Sequence, residues 1–241
     1  MQAFILAAGL GTRLRPLTNT KPKALVEIQG TPLIKIAIEN LIHHGATRIV
    51  INIHHLGEQL LDYLLHNQWD ADILISDERE QLLDTGGGLK KAQNFFLSNK
   101  PILIYNVDIL SHINLANAIT QHIDSMNMAT LLVSNRNTSR QLLFDSNRQL
   151  TGWKNSTTKE AKWVKEPLNS YEQKAFSGIA IIQPELLELL PPADHPYPII
   201  PAYLNIARNH RISYFEHLPQ DWLDVGNPET LQRAQNWNIN S

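Results

Sequence analysis

The stretch Ala3–Lys23 reads AFILAAGLGTRLRPLTNTKPK, and its order decides the fold. Ala3 to Ala8 form a compact apolar run of strand length, as expected of a buried first strand. The run passes directly into a loop carrying Gly9 and Gly11, followed by Arg13, Arg15, Lys21 and Lys23. Glycines at this point let backbone N–H groups approach an anion closely, and the cationic side chains crowd the carboxyl edge of the strand. A phosphate group is the favoured ligand; the plainer alternative is a tight turn dressed with solubilising charge. The spacing is not that of a Walker loop, and Leu14 stands where a dinucleotide fingerprint has its final glycine.

Downstream, ALVEI at Ala24 to Ile28 has the character of another short strand. Leu33, Ile36, Ala37, Asn40 and Leu41 then recur at helical spacing, and Gly45 stops the pattern. RIVINI at Arg48 to Ile53 predicts a strand, Glu58 to His66 a helix, and Ala71 to Asp77 a strand. Gly88 to Phe96 predicts a helix after three glycines, and PILIYNVDIL a strand whose far end introduces Asn106 and Asp108. Alternating strands and helices argue for a mostly parallel sheet covered on both faces. Beyond Asp108 the pattern predicts a helix over His112 to Asp124 and strands over Ala129 to Ser134 and Gln141 to Asp145. Gly152 to Thr158 reads as a surface hairpin or irregular excursion, and Phe176 to Ile182 as a strand, so the sheet becomes mixed. Prolines 191, 192, 196, 198 and 201 mark a loop, with helix resuming between Pro201 and Asn209. The segment DWLDVGNPETLQRAQNW predicts a short strand and a helix capped by Asn227 with Pro228 in its first turn.

The chain has 241 residues, 43% of them hydrophobic and 18% charged, which suffices for one sizeable α/β unit. It has no cysteine, which excludes disulfide scaffolds and thiolate chemistry. With 21 Lys and Arg against 23 Asp and Glu, bulk charge offers no drive toward nucleic acid, though a local cationic site remains compatible with it. No basic leader precedes the first apolar run, and no segment approaches the ~18–20 apolar residues of a membrane span, so the expected location is cytoplasmic with no membrane partner. His43-His44 and His54-His55 diverge as sequence neighbours and do not make a zinc site. Trp153, Trp163, Trp222 and Trp237 are too scattered for a nucleic-acid stacking stripe. Oligomeric state is not readable from the sequence.

Asp108 ends the IYNVD run at the sheet edge where open α/β proteins bind ligands, and Asp224 has a similar setting in WLDVG. Each carboxylate suits either Mg²⁺ or local capping when judged alone. Asp84-Thr85-Gly86-Gly87-Gly88 precedes a predicted helix; it reads either as a close approach for a base or sugar or as a simple turn and cap.

With LAAGLGTRLRPLT, KPKALVEI, LLDTGGGL, YNVD, FSGI and WLDVG in this order, the chain resembles the sugar-1-phosphate nucleotidyltransferase family over residues 1 to 235. It is most similar to the short bacterial N-acetylmuramate α-1-phosphate uridylyltransferases and mannose-1-phosphate guanylyltransferases. The resemblance implies a Rossmann-like three-layer nucleotide-diphospho-sugar transferase fold with a mixed, mainly parallel sheet. One domain would span 1–241, with a sugar-binding portion mainly within 109–220 and no C-terminal β-helix domain. Substrates would be a nucleoside triphosphate, UTP or GTP, and a sugar 1-phosphate; Mg²⁺ would be the cofactor. Phosphocholine cytidylyl transfer and nucleotide binding without turnover are the alternatives.

Residue by residue, the resemblance assigns nucleotide binding to Leu6, Ala8 and Gly9, and triphosphate binding to Gly11, Thr12 and Arg13. Lys23 would meet the transferring phosphate, Gly87 would lie in the base loop, and Asp108 and Asp224 would hold the metal. Asp84, Asn106 and Asn227 depart from the Glu, Gly and Thr of many relatives. Lys165-Glu166-Pro167 reverses a Glu-Lys-Pro sugar-phosphate motif, leaving Lys165 as a candidate contact together with Asn106, Phe176 and Gly178. For Phe176, core packing is the stronger reading.

Overall fold

Strand β1 (Gln2–Leu6) is buried on both faces: Phe4 joins one core, while Ala3 and Ile5 join the other. Successive strand side chains alternate sides, so this near-continuous apolar run demands a layer on each face. The computed structural model describes residues 1–166 and 169–239; Pro167 of the Lys165-Glu166-Pro167 triplet lies outside them. After β1 come β2 (Glu27–Ile28), β3 (Thr31–Pro32), α1 (Leu33–His43), β4 (Arg48–Ile53), α2 (Gly57–Leu65) and β5 (Asp72–Asp77). Next are α3 (Asp84–Lys91), β6 (Ile102–Asn106), β7 (Ile109–Ser111), α4 (Leu115–Asp124), β8 (Ala129–Ser134) and β9 (Arg140–Phe144). The remainder supplies β10 (Leu150–Asn155), β11 (Ala161–Trp163), β12 (Glu172–Ile182), α5 (Leu186–Leu189), α6 (Ile199–Ile206), β13 (Ile212–Glu216), β14 (Trp222–Asp224) and α7 (Pro228–Ala234).

Parallel pairing gives the order β5-β4-β1-β6. β12 joins β6 antiparallel, β8 joins β12 antiparallel, and β13 joins β8 in parallel, so the sheet is mixed around a parallel core. The first residues of β12 also pair with β9, which carries β10 and β11 outward. From β1 the chain winds toward β4 and β5, then returns to β6 on the opposite side. The strand order therefore reverses between β1 and β6, and the carboxyl ends at such a reversal open a crevice for ligands. Leu6 and Asn106 are register partners at that edge.

Helices α1, α2 and α4 pack through Ile34, Ile38, Leu41, Leu60, Leu64 and Leu115 on one face of the sheet. Helices α3, α5 and α6 cover the other through Leu89, Leu186 and Tyr203. A smaller core of Val26, Ile28, Leu110, Leu223, Val225 and Ala234 binds the β2–β3 and β7–β14 ribbons to α7. No helix among the described residues is long and apolar enough to cross a membrane.

Several expectations needed correction. ALVEI supplies no strand to the main sheet: Lys23–Leu25 is a 3₁₀ turn, and only Glu27–Ile28 pairs, with Thr31–Pro32. The chain reverses through Gln29 and Gly30, both at positive φ, as a two-residue hairpin turn requires. The glycines of the TGGG run lie inside α3, not ahead of it. The hairpin expected over Gly152 to Thr158 is formed by β10 and β11, and Gly152 itself lies in β10, paired with Trp163 where the β9–β10 register shifts. Strand β13 escaped the periodicity reading, because its ISYFE alternation is only five residues long.

Gly86 shows why α3 tolerates so much glycine. A Cβ there would lie 2.4 Å from Tyr197 Cε2, and the Gly86 amide donates to the Tyr197 carbonyl at 2.9 Å. Gly86→Ala should destabilise the fold by about 1–3 kcal/mol through forced displacement of that segment. In a chain of this size this is a fall of roughly 2–4 °C in Tm per kcal/mol. A Cβ on Gly9 would meet nothing within 4 Å, so Gly9→Ala should leave Tm nearly unchanged in the same thermal melts.

Candidate active site

The glycine loop is anchored from below. Ala7 N and Ala8 N donate to Asn52 Oδ1 at 2.7 and 3.2 Å, and Asn52 Nδ2 donates to Glu78 Oε1 at 2.7 Å. The other oxygen of Glu78 accepts from Leu83 N at 3.0 Å. Burial pushes the Glu78 carboxyl up, while the bonds from Asn52 and Leu83 pull it down. One side-chain couple thus fixes both the loop after β1 and the loop before α3. Between these loops and the break after β6 opens a cleft of about 390 Å³, walled by Leu6, Ala8, Gly9, Asn106 and Asp108, with Asp84 and Thr85 opposite.

Asp108 is not the last residue of β6; it sits in the break between Asn106 and Ile109, where the chain leaves the main sheet for β7. β7 pairs with β14, which sets Asp224 against Ile109, and Val225 N donates to the Asp108 carbonyl at 2.8 Å. The two carboxylates, 116 positions apart in sequence, therefore meet. Lys23 Nζ forms an ion pair with Asp108 Oδ2, both side chains being largely enclosed. Asp224 Oδ1 is buried with no hydrogen-bond partner among the described residues. Burial first, and then the Asp108 charge, push the Asp224 carboxyl up, against the pull of Lys23, Arg13 and Arg136. Two neighbouring carboxylates, one of them in the cleft wall, suit a hard divalent cation. Among the described residues no third acid or histidine joins them.

Arg13 belongs to this cluster. A Cβ on Gly226 would lie 2.7 Å from Arg13 Nη2 and 2.4 Å from Asp224 Oδ1, so the guanidinium and the carboxylate flank the same small gap. Gly11 holds the left-handed conformation that begins the Thr12–Leu14 turn, and Thr18 Oγ1 donates to its carbonyl at 2.8 Å. Thr12 and Gly9 remain exposed on the loop. Of the four loop cations, Lys21 is directed to Glu27 at 2.9 Å and Arg15 is exposed, leaving Arg13 and Lys23 at the carboxylates.

Other candidates lie elsewhere. Gly87 is buried in α3, its amide donating to the Tyr197 carbonyl at 3.3 Å; Asp84 and Thr85 are the members of that loop that reach the cleft. Thr85 Oγ1 accepts from Ile199 N at 2.9 Å, which leaves its hydroxyl proton available. Gly178 lies against Asn106, since a Cβ there would be 2.7 Å from Asn106 Nδ2. Phe176 packs against the main core, as its apolar ring favours. Lys165 is not brought to the cleft: beyond β11 the chain carries it to a separate groove with Asp145, Gln149 and Arg208. Sequence reading missed Asn52, Glu78 and Arg136. For Asn52 a signal existed, the one polar side chain in the apolar run IVINI.

The family model described as nucleotidyl transferase matches residues 2–144. An N-acetylmuramate alpha-1-phosphate uridylyltransferase of Neisseria meningitidis serogroup B is 32% identical over 243 residues, covering 98% of this chain and 97% of the relative. The protein of the same name from Caulobacter vibrioides is 30% identical, with 97% and 95% covered. A probable mannose-1-phosphate guanylyltransferase of Oryza sativa subsp. japonica is 30% identical over 95% of this chain but only 62% of its own length. HddC from Yersinia pseudotuberculosis shares the fold, with a TM-score of 0.76 at 20% identity over 97% of each chain. The chain belongs to the nucleotidyl transferase family, among its sugar-1-phosphate nucleotidyltransferases. It is an enzyme whose reaction class is transfer of a nucleotidyl group from a nucleoside triphosphate to a sugar 1-phosphate.

The raised Asp224 carboxyl has a stability consequence. Folding favours its protonated form, so the charged form costs stability that is fully felt above the folded-state pKa, shrinks as pH falls below it, and is gone below the ordinary aspartate value. Without divalent cations, Asp224→Asn should melt higher than wild type at pH 7, with the gap narrowing as pH is lowered. A variant melting at or below wild type at pH 7 would contradict this assignment.

Proposed function

We propose that this enzyme transfers a uridylyl group from UTP to N-acetylmuramate α-1-phosphate, releasing pyrophosphate. The observation that carries the site is Asp224 Oδ1, buried and unpartnered beside Asp108. These two carboxylates would hold Mg²⁺, which when bound neutralises charge on phosphate oxygens. Lys23, already at Asp108, exchanges that carboxylate for the α-phosphate when the nucleotide arrives. Arg13, with the backbone N–H groups of Gly11 and Thr12, takes the outer phosphates; Leu6, Ala8 and Gly9 line the nucleoside. Asn106 and Gly178 face the sugar, in a portion built mainly from residues 109–220 of a single domain. A phosphate oxygen of the acceptor bonds to the α-phosphorus as the bond to the α,β-bridging oxygen breaks, and pyrophosphate leaves with that electron pair. Phosphate monoesters are largely ionised at pH 7, so no protein nucleophile or base is required. The residues contribute alignment and charge. A nucleoside triphosphate substrate supports a cytoplasmic location.

The choice of substrates is supported by relatives that match almost end to end, whereas the guanylyltransferase of rice is matched over only 62% of its length. Its 30% identity still makes GTP with mannose 1-phosphate the second reading. UTP, GTP and CTP should be assayed against N-acetylmuramate 1-phosphate, mannose 1-phosphate, glucose 1-phosphate and phosphocholine by pyrophosphate release. The expected best pair is UTP with N-acetylmuramate 1-phosphate; preference for GTP with mannose 1-phosphate replaces it with the second reading. CDP-choline formation without any nucleotide sugar would overturn both. Asp108→Ala and Asp224→Ala should each lower kcat by about 100- to 1,000-fold. Mg²⁺ should raise the Tm of wild type, by the equivalent of about 2.7 kcal/mol at a hundred times Kd, and leave both variants unmoved.

A further inference from the structure

A second guanidinium stands near the carboxylate pair, and the reaction described so far does not use it. Arg136, in the loop after β8, lies with its Cζ 4.2 Å from the centroid of the Trp222 ring. Its Nη2 donates to the Phe176 carbonyl at 2.6 Å, and its Nε is buried with no hydrogen-bond partner among the described residues. Trp222 is itself fixed, its indole N–H donating to the Ser177 carbonyl at 2.7 Å. The arginine is thus aimed and held, yet most of its five N–H donors are unspent. Leaving such donors unpaired in an enclosed place is costly unless an anion completes them. Asp224 attracts it, yet among the described residues neither Asp224 Oδ1 nor Arg136 Nε has a hydrogen-bond partner.

Position supplies the identity of the missing partner. Trp222 precedes Asp224 by two residues, and Gly226, against which Arg13 lies, follows it by two. The two guanidiniums therefore lie against residues that bracket Asp224, Trp222 at the start of β14 and Gly226 just past its end. Phe176, bonded to Arg136, precedes by two residues the Gly178 that touches Asn106 in the cleft wall. In-line displacement puts the attacking phosphate and the leaving pyrophosphate on opposite sides of the α-phosphorus, so each side needs its own cation. Arg13 serves the triphosphate side, and Lys165 lines a separate groove rather than the cleft.

We infer that Arg136 is the binding residue for the phosphate of the acceptor, the role that the sequence motif would have given to Lys165. The assignment rests on the reading of the reaction as sugar-1-phosphate nucleotidyl transfer. A planar guanidinium stacked on an indole can present two parallel N–H groups to a phosphate, which a lysine cannot reproduce.

Steady-state kinetics of wild type, Arg136→Lys and Arg136→Gln test this, using N-acetylmuramate 1-phosphate, mannose 1-phosphate and glucose 1-phosphate with UTP and GTP. With the pair wild type prefers, Arg136→Gln should raise KM for the sugar 1-phosphate by about 10- to 100-fold, and Arg136→Lys by less. KM for the nucleotide should stay within about twofold, since the triphosphate side keeps Arg13 and Lys23. Equal rises in both KM values, or a fall in kcat alone, would show that Arg136 only packs Trp222 and Asp224, and would overturn the assignment. Should Arg136→Gln fail to fold, the KM split in Arg136→Lys decides the question in the same way. If wild type turns over the sugar 1-phosphates while both variants keep its KM values, Arg136 alone is wrong. If wild type turns over none of them, the reading of the reaction falls and takes the assignment with it.

Discussion

Glu78 is a carboxylate with no exposed surface, and the cleft depends on how it is satisfied. Its oxygens accept one bond from the Asn52 amide and one from Leu83 N, and Asn52 spends its own oxygen on Ala7 N and Ala8 N. An uncompensated buried carboxylate would be expensive, so the couple holds only when β4, β5 and the loop after β1 are in register. Both loops that wall the cleft are therefore positioned by the same few atoms. Gly88 belongs to the arrangement, since a Cβ there would be 2.5 Å from Glu78 Oε1 and would push α3 off its support.

Above this floor the fold stores repulsion. Pairing of β7 with β14 and the small core around Leu110, Leu223 and Val225 hold Asp108 and Asp224 together, although burial and like charge oppose it. Lys23 relieves Asp108, but among the described residues nothing donates to Asp224 Oδ1. Cations approach from three directions, Lys23 from the loop after β1, Arg13 beside Gly226, and Arg136 over Trp222. A molecule of net charge −2 thus concentrates positive charge where phosphates would gather, and nowhere else needs to be basic.

The α/β architecture was legible because its elements have strong local signatures. RIVINI is one uninterrupted strand, Pro32 to Gly45 is a helix with a glycine stop, and Asn227-Pro228 caps α7 as its chemistry dictates. Local chemistry failed where tertiary contact decides. The glycines of α3 look like a loop until Tyr197 is seen against Gly86, and Val26 looks like a sheet strand until the Gln29-Gly30 turn folds it back. Asp108 and Asp224 were readable as ends of apolar runs, but their meeting is a property of the β7–β14 ribbon alone. A reversed motif points to Lys165, but this side chain lines a groove separate from the cleft. Arg136 sits in a polar loop whose sequence says nothing of the indole beneath it.

One buried side-chain couple, Asn52 with Glu78, positions both walls of the cleft. Residue-resolved amide hydrogen exchange on Asn52→Leu probes this coupling, because leucine keeps the volume and removes the bonds. Exchange should become faster at Ala7 and Ala8, which lose their acceptor, and at Leu83, whose partner Glu78 is set free, while amides of the β4 and β6 cores keep their protection. Unchanged exchange at Leu83, with loss confined to Ala7 and Ala8, would contradict the shared support by showing that the two loops are held independently.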